Sequence, residues 1–274
     1  MPVALALLSS LLWGTSDFLG GTATRRLPAA VVVFGSQLTA LVVLVPFVLL
    51  FGERPQAWWP GVAAGLTGVV GLAAFYAALA VGTMGVVAPI AATGAVVPVV
   101  VGLARGEAPS GLQVAGIAVA LVGVVLASGP ELTGGASRRP LLLAVVAAAS
   151  FGSVAVLIAQ GSKGPAGGAL VSLAVMRVAS VAALGVVGLV RRTRVPVVGN
   201  ARVLAGIGVF DVGANTAFAY ASREGLLSVV SVLASLYPVV TVLLAREVHG
   251  ERLARVQLVG AVGTLAGVAL LSAG

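Results

Sequence analysis

Apolar stretches of about 20 residues, separated by short clusters of Gly, Pro and charge, dominate this chain. The stretches do not alternate polar with apolar, so they do not read as the roughly ten-residue strands of a membrane barrel. A run of this length suits a helix crossing a hydrocarbon core about 30 Å thick. Ten segments are predicted, near 3–21, 29–51, 59–81, 84–104, 111–128, 141–159, 167–190, 201–222, 225–245 and 253–272. Only Gly82-Thr83 joins the third to the fourth, and only Arg223-Glu224 the eighth to the ninth. A linker at 130–140, with Pro130, Gly134-Gly135 and Arg138-Arg139, separates residues 1–129 from 141–274.

The two parts repeat one plan. Tyr76–Pro130 recurs as Tyr220–Gly274 at an offset of 144. Gly106-Glu107 returns as Gly250-Glu251, Gln113 as Gln257 and Gly123 as Gly267. Gly recurrences are cheap in this chain, but a recurring acid and a recurring Gln are not. The front parts match more weakly: Ser10-Leu11-Leu12-Trp13-Gly14 resembles Ser150-Phe151-Gly152, and Gln37 falls opposite Arg177 at an offset of 140. Five spans per half is an odd number, so the second half enters the membrane inverted. The expected fold is an all-α integral membrane protein, ten transmembrane helices arranged as two inverted five-helix repeats. In that plan the site lies near the midplane between the repeats.

Composition sharpens the membrane reading. Of the 274 residues 59% are hydrophobic and 9% charged, and mean hydropathy is +1.15. A soluble domain carries about 25% charged residues. The net charge of +8 is no nucleic-acid signal, because the basic residues sit in loops between apolar runs. Loops after the odd-numbered segments hold most of them, including Arg25, Arg26, Arg138, Arg139, Arg191 and Arg192; the opposite side holds Arg54, Arg105, Lys163 and Arg223. The positive-inside rule then sets both termini outside the cytoplasm. The first apolar run has no basic stretch before it and is read as a retained span rather than a signal peptide. Cysteine is absent, which excludes thiol nucleophiles and thiolate metal sites. His249, the single histidine, lies among charges and is read as solvated.

Gly61/Gly65 and Gly263/Gly267 have the small-xxx-small spacing that lets helices approach closely. Pro46, Pro89, Pro98 and Pro238 fall inside predicted spans, where a lost backbone bond is tolerated beside protein or a water-filled cavity.

Taken together, Leu12-Trp13-Gly14, Leu236-Tyr237-Pro238-Val239-Val240-Thr241, Gly250-Glu251-Arg252-Leu253 and Gln257-Leu258-Val259-Gly260 resemble the EamA-type transporters of the drug/metabolite transporter superfamily. The resemblance covers essentially the whole chain. It implies transport of a small organic metabolite and does not name the metabolite. It also implies cytoplasmic termini, against the arginine count. Where the second half has Pro238 the first has Gly94, with Pro98 one turn later, so the break in segment 4 is expected to be displaced.

Ionisable groups within spans are functional candidates by default. Arg177 and Asp211 lie mid-span. They are either a buried structural ion pair or cavity-lining groups, Asp211 for a proton or cation and Arg177 for an anion. Asn215 is one turn beyond Asp211, and Phe218 and Ser222 continue that face. Asp17 reads as a helix-end group reaching the interface, with a second membrane acid as the alternative. Tyr237, beside Pro238, and Trp13, Gln37, Tyr76 and Tyr220 are candidate lining residues. Glu107 and Glu251 each precede a helix, where a carboxylate favours the positive end, and are read as structural.

The expected function is secondary-active export of a small-molecule substrate by alternating access, with protons as a candidate coupling ion. An uncoupled uniporter or exchanger is the alternative, and an intramembrane lipid-modifying enzyme a remote one. No phosphate-cradling Gly-x-x-x-x-Gly-Lys-[Ser/Thr] loop is present. No cofactor, metal or nucleic acid is expected. The expected setting is multi-pass in the inner (plasma) membrane, as a monomer or weak homodimer in the lipid bilayer.

Overall fold

The computed structural model describes residues 1–81, 84–127, 138–190, 200–249 and 255–273. Residues 130–137 of the linker, Gly82-Thr83, the Gly250-Glu251 copy and Arg191, Arg192, Arg194 and Arg252 lie outside them, as do the side chains of His249 and Gln257. Every regular element among the described residues is helical. The apolar runs become α1 (Pro2–Thr24), α2 (Ala29–Phe51), α3 (Trp59–Val81), α6 (Gly111–Ala127), α7 (Arg138–Gly161), α8 (Ala166–Val190), α9 (Ala201–Glu224) and α12 (Arg255–Ala273). Among the described residues seven helical stretches are long and apolar enough to cross a membrane; Ile90–Ala104, Gly111–Leu126 and Val262–Leu271 are shorter apolar helices.

Two runs are broken. Segment 84–104 forms α4 (Met84–Ala92), a 3₁₀ turn at Thr93–Ala95 and α5 (Val96–Ala104). Segment 225–245 forms α10 (Leu227–Ala234) and α11 (Tyr237–His249), with Ser235-Leu236 between them. A helical proline removes the bond to the carbonyl four residues back. Pro98 thereby frees the carbonyl of Gly94, and Pro238 that of Ala234. Ser235-Leu236 align with Ala91-Ala92 at the 144 offset, yet the first-half turn lies at Thr93–Ala95. Each break follows its own proline, and the displacement expected from Gly94 and Pro98 is found. Pro46 breaks nothing, for α2 continues through it.

Packing pairs elements from before and after the linker. α1 packs on α9 and on α10 and α11, while α7 packs on α3 and on α4 and α5. α2 meets α8 and α9, α3 meets α8, and α6 lies along α12. Small residues allow these approaches. A Cβ on Gly61 would come 2.6 Å from the Ser172 carbonyl oxygen, and one on Gly65 would overlap the Met176 carbonyl. Gly267 faces Ala120 and Gly123 faces Thr264 in the same manner. Outward-facing Val42, Leu49, Val70, Leu142, Val186 and Leu265 are exposed, the surface a bilayer would cover.

Carboxylates at helix ends tie the parts together. Glu107 accepts from the N–H groups of Leu227 (2.7 Å) and Ser228 (2.9 Å) and from the Ser228 hydroxyl (2.7 Å). It therefore caps α10, across the molecule, and not the helix that follows it in sequence. Glu53 likewise accepts from the Gly167 N–H at 2.9 Å, at the start of α8. Gln113 caps its own helix: its side chain accepts from the Ser110 N–H, and the Gln113 N–H donates to the Ser110 hydroxyl. That is a reciprocal capping box, the local reason for a Gln at position 113.

Candidate functional site

A cavity of about 100 Å³ lies at mid-height between α1, α3, the α4–α5 break, α7, α8, α9 and the α10–α11 break. A single water needs roughly 10–15 Å³ by the same measure, so the space holds more than one trapped water. Both helix breaks face it, through Gly94, Ala95 and Pro98 on one side and Ala234, Ser235 and Tyr237 on the other.

Among the described residues one basic and two acidic side chains reach its wall: Arg177 from α8, Asp211 from α9 and Asp17 from α1. Arg177 is 1% exposed. Its Nη2 sits 2.9 Å from Asp211 Oδ2, an ion pair that lacks the alignment of a hydrogen bond. Its Nη1 donates to Oε1 of Gln37 at 2.6 Å. Asn215 Nδ2 donates to Asp211 Oδ1 at 3.0 Å and to the Asp211 carbonyl at 2.7 Å, back along the helix. Gln37, Arg177, Asp211 and Asn215 thus form one chain of polar contacts through α2, α8 and α9. The two sequence readings of Arg177 and Asp211 merge here, for the pair is buried and also lines the cavity.

Asp17 departs from the expected interfacial position. It is buried and on the cavity wall, which Asp211 also lines. No hydrogen bond or ion pair engages its carboxylate among the described residues. The reason is its place on α1: Trp13 and Asp17 are four apart and share the inward face. Two acids and one guanidinium leave the wall one acid in excess when all are ionised.

Aromatic rings close the cavity. The Trp13 ring lies 5.7 Å from Phe218 and 6.5 Å, edge-on, from Tyr237. Phe151 lines the opposite wall and meets Phe75 at 5.5 Å. Gly14 permits the first cluster, since a Cβ there would come 2.6 Å from the Tyr237 carbonyl oxygen. Gly152 does the same against the Gly94 carbonyl, the one freed by Pro98. The Trp13-Gly14 and Phe151-Gly152 pairs therefore play matching parts.

Of the sequence candidates, Trp13, Asp17, Arg177, Asp211, Asn215, Phe218 and Tyr237 converge on the cavity. Gln37 stands behind Arg177 and Tyr76 against Gly20 of α1, both buried and neither on the cavity wall. Tyr220 donates to the Ala166 carbonyl at 3.2 Å and lies elsewhere. Phe151, Ser231 and Ser235 line the cavity without having been singled out in sequence. The signal for Phe151 is that Trp13-Gly14 and Phe151-Gly152 both set an aromatic residue before a Gly. The two serines lie on one face, four apart, ahead of Pro238. The Tyr237 hydroxyl and Ser231 Oγ are buried with no hydrogen-bond partner among the described residues. Buried polar groups are nearly always satisfied, so these two mark where water or a solute's polar group fits.

The family model described as the EamA-like transporter family matches residues 1–129 and 138–273. The chain belongs to the EamA-like transporter family. This EamA-like chain is therefore a multi-pass membrane protein and a transporter of the drug/metabolite transporter superfamily. One solved crystal structure superposes on it with a TM-score of 0.79 at 19% identity, over 99% of this chain and 98% of its own; at that identity it shows the fold alone. No curated protein matches the EamA-like chain in sequence.

Proposed function

We propose that this transporter carries a small organic solute through the central cavity by alternating access, with ten spans arranged as two inverted five-helix halves. The family match in two stretches supports the two-half reading. So does the paired packing, in which α1 on α9 mirrors α7 on α3. Export across the inner (plasma) membrane, with the chain acting as a monomer or weak homodimer, is the working assignment.

One observation carries the site: Asp17 offers the cavity a carboxylate unengaged among the described residues, while Asp211 is held by Arg177 and Asn215. Asp17 is the group that takes a proton or the cationic part of a solute. Arg177, Asp211 and Asn215 fix the wall opposite, and Trp13, Phe218 and Tyr237 supply apolar contact and a hydroxyl. A mostly apolar pocket with few convergent polar groups is what a small-molecule site requires. The engagement of Asp211 favours a second reading, an uncoupled uniporter or exchanger, if Asp17 binds only solute.

The test is a thermal-shift screen of detergent-purified protein against amino acids, amines, nucleosides, sugars and cationic drugs. A solute that raises the melting temperature of the wild type should lose most of that shift in Asp17→Asn. An unchanged shift in Asp17→Asn, Asp211→Asn and Arg177→Ala alike would remove the cavity as the binding site.

A further inference from the structure

A second, polar cavity of about 470 Å³ lies at the end of the bundle where α5, α7 and α9 finish and α10 begins. Its wall carries Arg105, Lys163, Arg223 and Glu107. Three helices run from the central cavity into it in steps of one turn. Ala155, Phe218 and Ser231 line the central cavity. Ala159 and Ser222, four residues on, and Leu227, four residues back, line the polar one. A four-residue step on a helix is about 6 Å. The two spaces are consecutive stations along α7, α9 and α10.

We propose that the polar cavity is the vestibule of the transport path on this face of the membrane, and that Glu107 is the latch between it and the central cavity. The proposal rests on the central cavity being the transport site. Three cations against one acid give the vestibule an excess positive charge, which draws anions toward its mouth. Of the four basic residues that sequence assigns to this side of the membrane, three converge here. Glu107 grips the first turn of α10 with three hydrogen bonds, from the loop after α5. α10 carries Ser231 on the cavity wall, so releasing Glu107 frees the element that separates the two spaces.

The chain contains no cysteine, which makes single thiols readable without further changes. Ser231→Cys places a thiol in the central cavity, Ser222→Cys one in the vestibule, and Lys163→Cys marks the face. Membrane-impermeant methanethiosulfonates, one bearing a sulfonate and one a trimethylammonium, are applied to sealed vesicles of either orientation. Labelling is read by mass spectrometry and needs no solute, so it fails or succeeds independently of the function assigned above. Ser231→Cys is expected to label from the face that labels Lys163→Cys. At Ser222→Cys the sulfonate reagent is expected to outpace the cationic one by at least about threefold, normalised to a free thiol. Arg105→Gln with Lys163→Gln should erase that preference.

Glu107→Gln should raise the Ser231→Cys rate several-fold. Ser228→Ala, which removes one of the three bonds, should raise it less and serves where Glu107→Gln fails to fold. Labelling of Ser231→Cys only from the opposite face would overturn the path. An unchanged rate in the latch variants would overturn the role of Glu107, and a missing charge preference the role of the basic residues.

Discussion

Asp211→Asn keeps the shape of the side chain and removes its charge. The Arg177 guanidinium then stays 1% exposed with a single hydrogen bond, to Gln37. Removing one partner of a buried pair costs about 3–5 kcal/mol, because the other charge is left uncompensated. Here the guanidinium loses the counter-charge that sits 2.9 Å from its Nη2, because an amide takes the place of the carboxylate. For a chain of this size each kcal/mol shifts a melting point by about 2–4 °C, so a fall on the order of 10 °C is expected. The second arm is Arg177→Met with Asp211→Asn, which removes both charges and keeps most of the volume. Replacing a whole buried pair by apolar groups is often neutral or stabilising, so the double variant should recover most of the loss. Thermal melting in detergent, followed by the fluorescence of the three tryptophans, reads all three proteins. A single variant that melts with the wild type, or a double variant worse than the single, would refute the claim that this pair is coupled and buried.

Gly94→Ala should destabilise by about 1–3 kcal/mol, as overpacking does, because its Cβ would meet the Ala148 carbonyl; Gly185→Ala, with nothing within 4 Å, should be neutral or stabilising by up to about 1 kcal/mol, and melting curves compare them. Gly65→Leu should cost more than Gly94→Ala, since the backbone of Met176 cannot retreat without parting α3 from α8; loss of a monodisperse peak in size-exclusion chromatography checks it. Trp13→Ala should weaken solute binding about tenfold or more, by removing an aromatic wall that touches both Phe218 and Tyr237, as read by isothermal titration with whichever solute the screen finds.

The helices were legible because length and apolarity alone determine them: predicted 29–51 and 59–81 are observed as Ala29–Phe51 and Trp59–Val81. The break in segment 4 was legible too, because a proline acts on a fixed carbonyl four residues back. Partners across the molecule were less so. The offset of 140 set Gln37 opposite Arg177, yet only the fold shows that the two touch. Glu107 was read as serving a helix start, which is right in kind, but the helix it caps lies 120 residues on. Asp17 stood between an interfacial helix-end group and a second membrane acid, because position along the span does not decide it, while the rotation of α1 turns it to the cavity wall. Tyr76 has the composition of a cavity residue and packs against Gly20 instead. In a chain that is apolar on every face, periodicity carries little information about the rotation of its helices.

Transport by reconstituted protein tests the central claim most directly. Proteoliposomes loaded with the solute found by thermal shift are given an imposed pH gradient, and uptake is compared between wild type, Asp17→Asn and Asp211→Asn. The account predicts solute accumulation by the wild type and loss of the gradient-driven part in Asp17→Asn, with Asp211→Asn impaired through its stability. Gradient-driven accumulation by Asp17→Asn at the wild-type rate would contradict it.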